Sequence, residues 1–277
     1  MDYTLNCKGR LVDLSEPLVM GIVNATPDSF YADSRQQTEQ QVAVRTRQIL
    51  DEGAAIVDVG ACSTRPDSTP VDEAEEMERL RMALTAVRRE ALEAVVSVDT
   101  FRPNVARMAV EEYGVDIIND VGGPVDVQLS AVSVQREMFR MVSLLRVPYI
   151  YMSRKATMRE ILLDGAEVVD ILRSMGQKDI VFDPGFGFGK TLEQNYIVLS
   201  QLERMQMMGV PILVGVSRKS MVCRLLGIRQ EEALNGTSVL HTKALLGGAN
   251  ILRVHDVRQA VECVKIVRQI ENSKLVN

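Results

Sequence analysis

The sequence predicts an α/β protein folded as a single (β/α)8 TIM barrel, with a short N-terminal β-hairpin closing the bottom. Three observations carry that reading. Eight short apolar runs rich in β-branched residues recur along the 277 residues. They are almost continuously apolar rather than strictly alternating, as strands buried on both faces of a parallel sheet require. Amphipathic stretches lie between them, and no linker or low-complexity segment interrupts the series, so one domain is expected over 1–277. A doubly wound open sheet is the alternative, but it usually has fewer strands.

Taken in order, residues 1–14 read as the hairpin, turning at Lys8-Gly9. The strands then read Leu18–Val23, Ala55–Val59, Ala94–Val98, Asp116–Ile118, Pro148–Met152, Ile180–Phe182, Pro211–Val216 and Asn250–Val254. Between the first two, Thr38 is placed to cap a helix running to Leu50, with Gly53 closing it. Asp72 precedes a long charged helix carrying Met77, Leu80, Leu84 and Val87 at helical spacing. Pro103 suits a first helical turn. Ala233–Leu246 and Val257–Ile270 read as the last two large helices.

Composition narrows the function classes. With 46% hydrophobic residues the chain can bury a large core, and no apolar run reaches the length of a membrane span. The N-terminus lacks a signal peptide's basic and apolar regions. Four scattered cysteines show no metal-ligand or disulfide spacing, which suits reduced thiols in a cytoplasm. A net charge of −5 argues against a nucleic-acid or anionic-membrane surface, and the absence of tryptophan argues against a base-stacking platform.

Barrel active sites lie at the C-terminal strand ends. Polar residues recur there: Asn24, Asp58, Asp99, Asn119, Asp183, Ser217-Arg218-Lys219, Arg253 and His255. After the sixth strand, Asp183-Pro184-Gly185-Phe186-Gly187-Phe188-Gly189-Lys190 joins a carboxylate to a turn with alternating glycines. It is not a nucleotide P-loop, because Pro184 stands where that pattern needs glycine. Singly, Asp120 and Ser217 read as helix caps, Asp58 as a satisfied barrel residue and His241 as a surface or packing residue. Together the set reads as a cradle for a flat, nitrogen-rich heterocycle, since a carboxylate accepts parallel N–H bonds from an amino-pyrimidine edge. Arg253, His255 and Arg65 add positive charge for an anionic group. Two polar segments, 24–30 and 61–66, are long enough to act as lids.

These residues carry a resemblance to the dihydropteroate synthase family. The matching stretches are Asn24 to Phe30, Ser63-Thr64-Arg65-Pro66, Ser97 to Thr100, Ile117 to Val121, Asp183 to Thr191, Ser217 to Ser220 and Arg253 to Val257. The resemblance implies a cytoplasmic transferase of folate biosynthesis, a homodimer and sulfonamide target, that joins p-aminobenzoate to 6-hydroxymethyl-7,8-dihydropterin diphosphate. It implies that Asp99, Asn119, Asp183 and Lys219 bind the pterin, and that Asn24, Arg253 and His255 bind the diphosphate, with Mg²⁺ bridging at Asn24. It gives Thr64, Arg65, Pro66, Phe188, Lys219 and Ser220 to p-aminobenzoate, and catalysis to Asp99, Asp183, Lys219, Arg253 and His255. The chain departs from the family after strand five, where a Met-His-Met stretch and a Gly-x-Pro turn are usual. Here a shorter segment, Tyr149 to Met158, lacks that histidine. The alternatives are a pterin-dependent corrinoid methyltransferase domain and a catalytically impaired pterin-binding paralogue.

Overall fold

The computed structural model describes residues 3–25, 32–62, 71–122 and 128–274. Strands β1 (Thr4–Cys7) and β2 (Arg10–Asp13) form the antiparallel hairpin. The barrel strands are β3 (Leu18–Asn24), β4 (Ile56–Gly60), β5 (Val95–Asp99), β6 (Ile117–Asp120), β7 (Tyr149–Met152), β8 (Ile180–Asp183), β9 (Leu213–Val214) and β10 (Ile251–Val254). They form one eight-stranded sheet, parallel throughout, in the order β8-β7-β6-β5-β4-β3-β10-β9. A parallel bridge between Phe182 and Ile212 joins its two ends, so the sheet closes on itself.

The helices between strands are α1 (Ala32–Asp51), α2 (Glu73–Glu90), α3 (Pro103–Tyr113), α4 (Gln128–Leu145), α5 (Met158–Ser174) and α6 (Leu192–Ser200). After β9 come a short α7 (Ser220–Leu226) and α8 (Leu234–Leu246), and α9 (Val257–Lys274) follows β10. Local chemistry sets several boundaries. The Asp72 side chain accepts from the Glu75 N–H at 2.8 Å to open α2, and Gly114 ends α3 with φ of +63°. Thr157 with Glu160, and Thr191 with Gln194, form capping boxes for α5 and α6. Thr38 is not a cap. The helix begins at Ala32, because no glycine or proline between Ala32 and Thr38 stops it, and Thr38 is buried within it. No described helix is long and apolar enough to cross a membrane.

Two apolar layers hold the molecule together. Outward-facing strand residues pack against the helices in one continuous cluster. Inside the barrel, Met20, Ile56, Val95, Ile117, Ile150, Val181, Leu213 and Ile251, one from each strand, form the bottom layer. Leu5, Cys7 and Leu14 of the hairpin region join that cluster, so the hairpin plugs the bottom as the sequence predicts. Burying each large aliphatic side chain stabilises the fold by roughly 1.5–3 kcal/mol. The plug therefore contributes to stability rather than to chemistry.

Candidate active site

Side chains on a strand alternate between faces, so the residue two places beyond each bottom-layer residue also points inward. Those positions are Ile22, Asp58, Ser97, Asn119, Met152, Asp183, Gly215 and Arg253. The apolar plug thus gives way within one layer to a polar floor. Arg253 ties it together: Nε donates to Asp58 Oδ2 and Nη2 to Asp99 Oδ2, each at 2.6 Å. Asn119 Nδ2 donates to the same Asp58 oxygen at 3.2 Å. Asp58 Oδ1, Ser97 Oγ and Asn119 Oδ1 are buried without a hydrogen-bond partner among the described residues. Unsatisfied buried acceptors are costly, and three in one layer mark a surface shaped for a ligand's donors.

Burial raises the carboxyl of Asp99 to about 7, with Arg253 opposing the rise and Asp58 adding to it. Burial raises Asp183 as well, opposed by Lys219 and by the Gly185 N–H, which donates to Asp183 Oδ1 at 2.7 Å. The glycine-rich loop begins there. Gly185 has φ of +70°, and a Cβ at that position would lie 2.1 Å from the Ser153 carbonyl oxygen, so only glycine fits. A Cβ on Gly187 would lie 3.2 Å from the Lys219 stem. Lys219, at the start of α7, reaches back beneath this loop. Its Nζ donates to the Phe186 carbonyl at 2.5 Å and sits 4.7 Å from the Phe188 ring centroid. Burial lowers its amine to about 8, against the pull of Asp183.

The opposite side of the mouth is built from β3, α1 and the start of α9. Exposed Asn24 ends β3. Ser217 Oγ lies 3.1 Å from both the backbone N–H and Nδ1 of His255. Burial first, and Arg253 second, lower the His255 imidazole to about 4, so the ring is neutral at pH 7. A cavity of about 400 Å³ opens here, with Asn24, Gln41, Arg45 and His255 as its polar lining.

The pterin binding enzyme family pattern matches residues 20–255, the whole barrel apart from its ends. The dihydropteroate synthase of Clostridium beijerinckii is 37% identical over 258 residues, covering 90% of this chain and 92% of that protein. The chain belongs to the dihydropteroate synthase family of pterin binding enzymes. The solved Xanthomonas albilineans dihydropteroate synthase with 4-aminobenzoic acid superposes with a TM-score of 0.86 at 33% identity, covering 98% of this chain and 99% of that one. The Yersinia pestis dihydropteroate synthase solved with a sulfonamide drug gives 0.83 at 30% identity, over 98% and 100% of the two chains. These relatives favour a folate-pathway transferase over the corrinoid methyltransferase and the impaired paralogue.

Against that family, the fold brings Asp99, Asn119, Asp183, Lys219, Phe188 and Arg253 to one mouth, with Asn24 and His255 at its rim. Ser220 is exposed at the first turn of α7. Thr64, Arg65 and Pro66 lie outside the described residues, as do most of both lid segments. Two helix-cap readings are corrected. Asp120 accepts from Tyr149 Oη at 2.7 Å and from the Gly122 N–H at 2.8 Å, and α4 begins only at Gln128. Ser217 is taken by His255, and α7 has no side-chain cap bond. His241 is a packing residue, 1% exposed in α8.

The shortened segment after β7 is firmly held. Ser153 Oγ donates to Asp164 at 2.5 Å, Tyr151 Oη points to the same carboxylate, and Arg154 donates to the Val121 carbonyl at 3.1 Å. Sequence reasoning missed Asn195, whose side chain accepts from the Gly187 N–H at 2.7 Å and donates to the Thr191 carbonyl at 2.7 Å. It fixes the glycine-rich loop from inside α6. The available signal was an asparagine, a poor helix-interior residue, directly after the Thr191-x-x-Gln194 capping-box pattern.

Proposed function

We propose that this mouth condenses p-aminobenzoate with 6-hydroxymethyl-7,8-dihydropterin diphosphate, forming dihydropteroate and releasing diphosphate. The carrying observation is the charge layout: Asp99 and Asp183 face inward with Arg253 and Lys219 beside them. Asp183, Asn119 and Asp99 accept from the pterin's amino and ring N–H groups, and Lys219 donates to it. The bond between the pterin methylene and the diphosphate oxygen breaks, and the electron pair leaves with the diphosphate. The carboxylates favour the cation left on the methylene and ring. The amine lone pair of p-aminobenzoate forms the new C–N bond, and the amine proton passes to solvent. The amine is nucleophilic enough without a serine, cysteine or strong base. Holding both partners in one mouth supplies the proximity the step needs.

Asn24, Arg253 and His255 face the diphosphate in this reading, and Phe188, Lys219 and Ser220, with Thr64, Arg65 and Pro66, face p-aminobenzoate. Among the described residues no group of three His, Cys, Asp or Glu could hold a metal. Asn24, an exposed amide at the end of β3, would hold Mg²⁺, an ion that keeps several waters and takes its other ligands from substrate phosphates. When bound, it would neutralise charge on the leaving diphosphate. A cytoplasmic location and competition of sulfonamides with p-aminobenzoate belong to the same proposal. So does a homodimer, supported by Leu225, Leu226, Val239, Leu246 and Ile266, exposed on α7, α8 and α9.

The test is diphosphate release from pterin diphosphate and Mg²⁺, with and without p-aminobenzoate. Release that requires p-aminobenzoate, with dihydropteroate formed, supports the reading. Tight pterin binding without turnover would refute it.

A further inference from the structure

Among the described residues, the anion side of the mouth is short of free positive charge for the group it is given. A diphosphate remains an anion even when one divalent ion bridges it. Of the three residues facing it, Asn24 is neutral, and His255 is a neutral ring with Nδ1 against Ser217. Arg253 already has Nε and Nη2 engaged by two carboxylates.

Helix α1 brings another cation to the same place. Arg45 Nη2 donates to the His255 carbonyl, Nε to the Ile22 carbonyl at 3.4 Å and Nη1 to Gln48 Oε1 at 3.0 Å. A guanidinium has five N–H groups, so two find no acceptor among the described residues. Arg102, Arg218 and Arg253 each have an ionic partner, Glu76, Asp256 and the Asp58/Asp99 pair. Arg45 has none among the described residues. It is half-buried, and burial lowers its basicity, with Glu52 and Asp256 opposing from a distance. Its side chain also lines the 400 Å³ cavity that Asn24 and His255 share.

Resting on the synthase reading, we propose that Arg45 is a further anion-binding residue, holding the terminal phosphate in the cavity between α1 and the ends of β3 and β10. Its free N–H groups and planar fork suit phosphate oxygens. Its bond to the His255 carbonyl fixes the fork beside the imidazole, so both groups meet the same anion.

The experiment measures binding of inorganic diphosphate and of free pterin to the wild type and to Arg45→Met and Arg45→Gln, by calorimetry at two salt concentrations. Glutamine places an amide N–H near the position of Nε, which meets the Ile22 carbonyl, and removes the charge and the fork. Both variants should bind diphosphate at least about tenfold more weakly, as expected for a lost charged hydrogen bond. Their salt dependence should be shallower, and pterin affinity unchanged. Wild-type diphosphate affinity in the glutamine variant would overturn the proposal, as would equal losses for both ligands. A wild type that binds pterin but no diphosphate would overturn the synthase reading beneath it as well.

Discussion

Arg253 Nε lies 2.6 Å from Asp58 Oδ2, which anchors a cation of the mouth from within the polar floor. Asp58 is fully buried and also receives Asn119. Removing it leaves a buried guanidinium with a single carboxylate partner and a buried amide without its acceptor. Asp58→Ala should lower unfolding free energy by about 3 kcal/mol or more, the usual cost of breaking a buried pair. Urea denaturation checks this; a loss below about 1 kcal/mol would mean the pair is as weak as a surface one.

Asp183→Ala removes the acceptor at the mouth of β8. Pterin should then bind at least about tenfold more weakly, because ring donors lose a charged partner. Titration by pterin fluorescence is convenient in a chain without tryptophan. Near-normal affinity in a folded variant would exclude Asp183 from the cradle.

The pH profile should be a narrow bell. Asp99 is raised to about 7, so its negative charge is lost as pH falls through that value. Lys219 is lowered to about 8, so its positive charge is lost as pH rises through that value. The kcat/KM profile of the free enzyme reports both limbs. Lys219→Met should lower activity and abolish the basic limb. Lys190, also lowered to about 8, donates to the Gly185 and Phe188 carbonyls, and Lys190→Gln is the control that separates the two amines.

His241 should make the fold acid-sensitive. Both ring nitrogens are buried without partners among the described residues, and burial lowers the imidazole to about 4. Well above pH 6.5 the ring is neutral in both states and contributes no pH-dependent penalty. Below it, the unfolded chain takes up a proton that the folded helix refuses until about pH 4, so stability falls across that window. His241→Leu keeps the volume and removes the linkage. Thermal denaturation at pH 5 and 7.5 should show a smaller difference than in the wild type; an unchanged difference would assign the effect elsewhere.

Val239 and Leu246 lie seven residues apart on one face of α8, both at least half exposed. If the partner is a second copy, Val239→Asp with Leu246→Asp should turn a dimer into a folded monomer by light scattering. A wild type that is itself monomeric would remove the homodimer from the proposal.

The barrel is legible in the sequence because buried parallel strands leave near-continuous apolar runs. The floor is legible once position is counted: Ile56 to Asp58, Ile117 to Asn119, Val181 to Asp183 and Ile251 to Arg253 each step two residues from plug to mouth. Pairing is another matter. Asp58 and Arg253 are 195 residues apart and become neighbours only because β10 pairs with β3, while Ser217 and His255, 38 apart, meet because β9 and β10 pair. Local reasoning therefore made Ser217 and Asp120 helix caps. A short polar residue before a helix has the same local signature whether it caps or reaches across to the next strand. Arg45 carried no signal, since an arginine on a helix is ordinarily solvated.

The hairpin's closure of the lower end has a kinetic consequence. A vessel with one opening admits and discharges everything through the same rim. If the pterin lies on the polar floor and p-aminobenzoate above it, the deeper guest must arrive first, and it departs joined to its partner. Turnover then follows a compulsory sequence, and a tightly held occupant of the upper position traps whatever lies below.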